Sequence, residues 1–494
     1  MQTKNKSSIN KFNSKSNIKL IVLACIISSL NVIFLKSFSA SLIIVVLESL
    51  ILGYYFLKGD ITNYLGCYLV FLTLSFEYEY IVGGAAFYGF KNFRILGLNL
   101  GIIFLLPIVI KLVFKKINVS KFTLKHPNLF LYVQLILIMS TTGVFIGLIN
   151  FLTNDNNILS MNNSVVLFVG NVYQGALFPL LIILSFMYIV LFEENKIIVL
   201  VDYISAILIG SVFAMVISLV TNNMGYYGGV VTLLSPMVNA FITFLILFLL
   251  FRGRIKSSGI IFLAYLIGLY LLFIYNASGK LFLLTLFSLA TTIPILVKQK
   301  KIKATVVLIM MLPVVGIGVF LLFNTLMKDN LLFTIKLDQA IKMLNLFDPN
   351  WFNNMPSSPK IRISEFINII IEYAEKPWYL LFGKGYLGTV RDHIETFNGS
   401  LGAFSDSQWV NGSFYAMHTS LNTLFLTHGL FGLVVLFSVV KLAWKKLIYS
   451  PLGTIGSIWF LVYYGYSITL SSFGLICLLI ALYEIDNKGN ILDN

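Results

Sequence analysis

The chain has 494 residues, 58% of them apolar and 11% charged, with a mean hydropathy of +0.90. Soluble domains are nearer half apolar and a quarter charged, so the composition excludes a water-soluble globular fold and indicates an integral membrane protein. The formal charge of +15 does not point to nucleic acid, because the lysines and arginines occupy short loops between apolar runs and are not interleaved with aromatics on one face.

A membrane-crossing helix needs ~20 apolar residues to span a ~30 Å hydrocarbon core. Runs of that kind recur along the chain, and no dyad alternation of a membrane barrel is present. The pattern predicts an all-α polytopic membrane protein of about 12–14 spans. After a Lys/Ser/Asn-rich tail, spans are expected near 18–36, 38–57, 61–82, 95–114, 129–152, 164–192, 197–220, 231–251, 259–276, 281–297, 304–323 and 417–440. A further apolar run at 454–483 is ~45 Å long as a straight helix, too long for one upright span, and is expected to fold as a hairpin. The chain thus divides into a basic tail (1–17), a helical membrane region (18–323), a large loop (324–416), a C-terminal membrane region (417–484) and a short tail (485–494).

Positive residues gather in cytoplasmic loops. Lys58, Lys115, Lys116, Lys121, Lys125, Lys196, Arg252, Arg254, Lys256, Lys298, Lys300, Lys301, Lys441, Lys445 and Lys446 fall on one side under strict alternation. That side is read as the cytoplasm, together with the N-terminus, and the 324–416 loop as extracytoplasmic. Cys25, Cys67 and Cys477 lie in apolar runs without CxxC spacing and read as core residues. Glu48 lies ~15 Å into the second span, where a carboxyl marks either an ion path or a pair with another span.

Within the loop, 331–347 has helical spacing of apolar residues. Ser357-Ser358-Pro359 opens a second amphipathic helix that runs through Glu375 and is stopped by Lys376-Pro377. Such a segment is expected to lie as a lid across the outer ends of the spans. Gly383-Lys384-Gly385-Tyr386-Leu387-Gly388 has GxGxxG spacing, and Trp378 to Phe382 before it could pass for a strand. No helix follows to complete a dinucleotide site, so the motif reads as a backbone turn. The histidines are too far apart to share a metal ion: His418 and His428 are ~15 Å apart along a helix, and neither HExxH nor Asp-x-Asp occurs. No metal or other cofactor is expected. His418 at the start of a span can accept a proton or donate to a phosphate, and Arg362 and Lys280 are cations expected at the same outer surface. Arginine grips phosphate through its planar fork, which makes Arg362 the best single candidate for a diphosphate contact.

Ser278-Gly279-Lys280 entering a span, Arg362 after Ser357-Ser358, Gly383-x-Gly385 after a proline, and His418-x3-Asn422 leading into Gly429-Leu430-Phe431-Gly432 together resemble the O-antigen polymerase and O-antigen ligase superfamily. The family more often has arginine where this chain has Lys280. The resemblance implies a GT-C-like, metal-independent, inverting glycosyltransferase of the bacterial cytoplasmic membrane. It would join undecaprenyl-diphosphate-linked repeat units into O-antigen or capsular polysaccharide. Arg362 and His418 would be catalytic, with Ser278, Lys280, Gly383, Gly385 and Asn422 binding diphosphate or glycan. A chain-length regulator and a flippase are the implied protein partners. The alternatives are a ligase that transfers glycan to a lipid A core, and a flippase or other transporter.

Overall fold

The computed structural model describes residues 14–75, 90, 93–95, 98–115, 119–161, 163–227, 230–234, 347–397, 404–415, 417–447 and 468–487, with isolated positions between 263 and 342 and at 452 and 456. In chain order the helices are α1 (Ser14–Ile33), α2 (Phe38–Lys58), α3 (Ile61–Thr73), α4 (Leu100–Ile103), α5 (Leu106–Val113), α6 (Val119–Lys125), α7 (Pro127–Leu152), α8 (Ser164–Val172), α9 (Phe178–Phe192) and α10 (Ile197–Thr221). Beyond residue 347 come α11 (Trp351–Asn354), α12 (Ser357–Glu375), α13 (Trp378–Phe382), α14 (Asp406–Asn411), α15 (Ser420–Leu447) and α16 (Ile468–Asp486). A π-helical turn at Tyr173–Leu177 joins α8 to α9. Among the described residues five helical stretches are long and apolar enough to cross a membrane: Phe38–Lys58, Pro127–Leu152, Ser164–Phe192, Glu194–Thr221 and Ser420–Leu442.

Three expected spans differ. The span at 61–82 is helical only to Thr73, and 76–89 lie outside the described residues. The span at 95–114 is interrupted by the hairpin β1 (Arg94–Ile95) and β2 (Leu98–Asn99) and by the break between α4 and α5. Asn99 Oδ1 accepts the Gly101 amide at 2.7 Å, starting α4 after the turn, and Pro107 favours a fresh helix start. The run at 231–251 begins as strand β4 (Val230–Leu233), paired antiparallel with β3 (Met224–Tyr227). Val230, Val231 and Thr232 are β-branched and favour that pairing. The expected helix at 331–347 and the spans at 259–276, 281–297 and 304–323 lie almost wholly outside the described residues.

Helix-end chemistry sorts the loops onto two faces. The first amides of a helix have no partner within it, and a carboxylate from a neighbouring helix satisfies them while complementing the positive end of the dipole. Glu193 does this for α3, accepting Ile61 N at 2.9 Å and Thr62 N at 3.0 Å. Asp486 at the end of α16 does it for α7, accepting Asn128 N at 3.1 Å and Leu129 N at 3.0 Å. Lys196 pairs with Asp60 at 3.0 Å, and Tyr483 donates to Glu194 at 2.7 Å. Lys58, Lys125, Lys196 and the end of α16 therefore share one face. The 372–393 segment meets the opposite end of α7. Glu48 of α2 is fully buried, and neither of its carboxylate oxygens is hydrogen bonded among the described residues.

Candidate active site

α12 starts and stops at the bounds its residues predict, with Pro359 in the first turn and Lys376-Pro377 ending it. Its inward face carries Ile361, Ile369 and Tyr373, and with them Ser364, Glu365, Asn368 and Glu372, all buried. The apolar residues join Val390, Phe397, Phe404, Phe414, Met417 and Phe425 in a core separate from that of the main bundle. Asn368 and Glu372 tie α12 to the following chain: Asn368 Oδ1 accepts His393 N at 2.9 Å, and Glu372 Oε1 accepts Arg391 N at 2.6 Å.

Glu365 is the centre of the site and is fully buried. One oxygen accepts His418 Nδ1 at 2.5 Å, and the carboxylate also takes the His418 amide at 3.0 and 3.1 Å and Asn422 Nδ2 at 2.8 Å. A carboxylate accepts, so this geometry assigns the proton to Nδ1 and makes Nε2, across the ring, the basic nitrogen. The imidazole lies edge-on to Phe404, with ring centroids 5.0 Å apart. Asn422 Nδ2 donates in addition to the Arg362 main-chain carbonyl at 2.8 Å, so the backbone at Arg362 is tied to the residues that hold His418. Thr419 Oγ1 accepts Asn422 N at 3.1 Å and caps α15, whose positive end therefore opens beside His418. Arg362 Nε is buried without a hydrogen-bond partner, and the side chain forms no ion pair among the described residues. A desolvated guanidinium nitrogen is suited to an anion.

The structure brings together Arg362, His418 and Asn422. Asn422 is spent on protein atoms and acts as a brace rather than an exposed ligand. Ser278 and Lys280 lie outside the described residues. Gly383 and Gly385 are given by the resemblance to substrate, whereas the structure gives them to helix packing. Trp378 to Phe382 is helix α13 and not a strand. After it the chain passes between α7 and α15. Lys384 N donates to Leu426 O at 2.7 Å, Gly385 N to Thr427 O at 2.9 Å and Tyr386 N to Gly143 O at 3.1 Å. α15 is kinked at Gly429, with φ 59° and ψ −150°, which frees carbonyls of the preceding turn for those amides. Gly385 has φ +73°, and a Cβ there would lie 2.1 Å from Gly147 N. No side chain fits at that crossing.

Lys384 is also buried. Its ammonium ion-pairs with Glu372, lies 3.2 Å from Asp155 Oδ2 and donates to Thr389 O at 2.8 Å. Lys376 meets the other Asp155 oxygen at 2.6 Å. Burial alone would raise the Asp155 carboxyl, but Lys384 and Lys376 outweigh it and hold the group below its ordinary value of 3.8. A carboxyl depressed in the folded state contributes stability in full above its unfolded pKa and loses it as pH falls through the folded one. Thermal stability of the purified protein should therefore decline below about pH 4, and Asp155→Asn should lower stability at neutral pH while flattening that decline. An unchanged acid limb in the variant would remove Asp155 from this role.

Glu365, Glu372 and Asp155 carry no motif in the sequence that marks them as site residues. The signal available was the helical spacing of Glu365, Asn368 and Glu372, which marks one polar stripe on α12. Among the described residues no group of three His, Cys, Asp or Glu side chains is placed to hold a metal ion. No family model matches the chain, and no curated protein matches it.

Proposed function

We propose that the protein is a membrane glycosyltransferase that polymerises lipid-diphosphate-linked oligosaccharide repeat units, with Arg362 and His418 at its centre. What supports this reading most is a histidine oriented by a buried carboxylate that lies one turn along α12 from an arginine with no ion pair among the described residues. A hydroxyl oxygen of the acceptor sugar bonds to the anomeric carbon of the donor while the bond from that carbon to the diphosphate oxygen breaks. The electron pair departs on the diphosphate, and attack from the opposite face inverts the centre. Nε2 of His418 takes the hydroxyl proton, and Glu365 balances the imidazolium. Arg362 and the positive end of α15 meet the charge that grows on the leaving diphosphate, where a preorganised cation acts selectively on the transition state.

The reading puts the basic face in the cytoplasm and α12 outside. An impermeant thiol reagent applied to intact cells should miss Lys58→Cys and label Ser357→Cys, both at exposed positions. The reverse pattern would invert the topology. The test of the activity is to supply the purified protein with lipid-linked repeat units in excess chelator. A ladder of lengthened glycan is expected. A requirement for an added divalent ion, or transfer only to a lipid core acceptor, would contradict the proposal.

A further inference from the structure

α12 buries a polar stripe beside Ile361, Ile369 and Tyr373 and leaves apolar side chains outside. Glu365, Asn368 and Glu372 are buried, while Phe366 and Ile370, four residues apart on the outer face, are 41% and 43% exposed. The same apolar surface continues into α13, where Trp378, Leu381 and Phe382 are 60%, 53% and 48% exposed. A helix facing water has the opposite arrangement.

The hydrogen-bond register sets the depth of this segment. Lys384 and Gly385 bond to Leu426 and Thr427, six and seven residues into α15, and Tyr386 bonds to Gly143, nine residues before the end of α7. At 1.5 Å per residue these contacts lie ~9–14 Å below the helix ends. α7 has 26 residues, ~39 Å, against a hydrocarbon core of ~30 Å. With the excess shared between its ends, the crossing lies ~4–9 Å inside the hydrocarbon. Irregular backbone is tolerated there only where its polar groups are satisfied by protein. The three amides of Lys384, Gly385 and Tyr386 all are. On the membrane side of the same crossing, α15 exposes Leu430, Val434 and Phe437.

We propose that 376–386 is a re-entrant membrane element, and that Phe366, Ile370, Trp378, Leu381 and Phe382 face the hydrocarbon chains of the leaflet it enters. The loop is then not a lid laid over the spans. It is a wedge, anchored by its backbone between α7 and the kink of α15, that holds the Arg362–His418 cluster at headgroup depth. If the cluster acts on a lipid diphosphate, which rests on the function proposed above, the lipid approaches it sideways along this apolar surface.

Spin labels read the depth without reference to activity. Cys25 is replaced by serine, and Cys67 and Cys477, both fully buried, stay in place. Labels are attached in lipid nanodiscs at Trp378→Cys and Phe382→Cys. Phe437→Cys of α15 serves as the lipid standard and Val410→Cys, 85% exposed on α14, as the water standard. Collision rates with oxygen and with a water-soluble nickel complex at 378 and 382 should match position 437, with nickel access lost relative to 410. Nickel access equal to that at 410 would overturn the proposal. So would loss of access to both reagents, which would mean that protein covers the surface. Leu381→Cys replaces either variant that fails to elute as a single species.

Discussion

Arg362→Lys should reduce glycan elongation by roughly ten- to a thousandfold, about 1.4–4 kcal/mol of transition-state stabilisation, while leaving membrane abundance unchanged. Lysine keeps the charge but is a point donor on a flexible stem, and it cannot offer a planar fork to two phosphate oxygens. The surroundings make the substitution informative. The helix backbone at 362 is held by Asn422 through the carbonyl, which lysine also supplies, so the brace survives. Nor does Arg362 form an ion pair among the described residues whose loss would destabilise the fold. His418→Ala should fall in the same range, because it removes the proposed proton acceptor. Glu365→Gln should lower kcat more than it raises KM, since it alters the orientation of His418 and not the grip on substrate. Near-normal elongation by Arg362→Lys would take the arginine out of the chemistry.

Lys384→Met should destabilise the protein by about 3–5 kcal/mol, because it leaves the buried Glu372 without its ammonium partner and Asp155 with Lys376 alone. The damage should spread through Thr389, which accepts from the ammonium, to the segment that Glu372 fixes through Arg391 N. Thermal unfolding in detergent reads the loss directly. Pairing Lys384→Met with Glu372→Gln should recover part of it, since the stranded charge is then gone. Were Lys384 instead a substrate cation, elongation would collapse with stability intact, which is the opposite result.

How far the sequence was legible depended on the distance over which each signal acts. The bounds of α12 follow from Ser357-Ser358-Pro359 and Lys376-Pro377, and these are local signals. α13 was missed because a five-residue apolar run has too little period to separate helix from strand. The environment of each face of α12 is not legible for a different reason. Amphipathicity shows that one stripe is polar, but not whether water or protein meets it. Here protein does, since Glu365 is paired with residues 53 and 57 positions away. Gly383-x-Gly385 was rightly a backbone turn, yet its purpose needs Gly143 and Gly147 from one helix and the kink at Gly429 from another. No single segment reports a crossing of three. Arg362 and His418 stand out in the sequence by their chemistry, whereas Glu365, which bonds His418 and Asn422, is picked out only by the structure.

Recognition of a lipid diphosphate by Arg362 and His418 is the step on which the proposed function rests. It is tested most directly by titrating purified protein in nanodiscs with undecaprenyl diphosphate and, separately, with undecaprenol, which has the same chain and no phosphate. Saturable binding of the diphosphate is predicted, weakened about tenfold or more, ~1.4 kcal/mol, by Arg362→Lys, with undecaprenol binding far more weakly and indifferent to the substitution. Equal affinity for the two lipids, or diphosphate binding that Arg362→Lys leaves unchanged, would contradict the account.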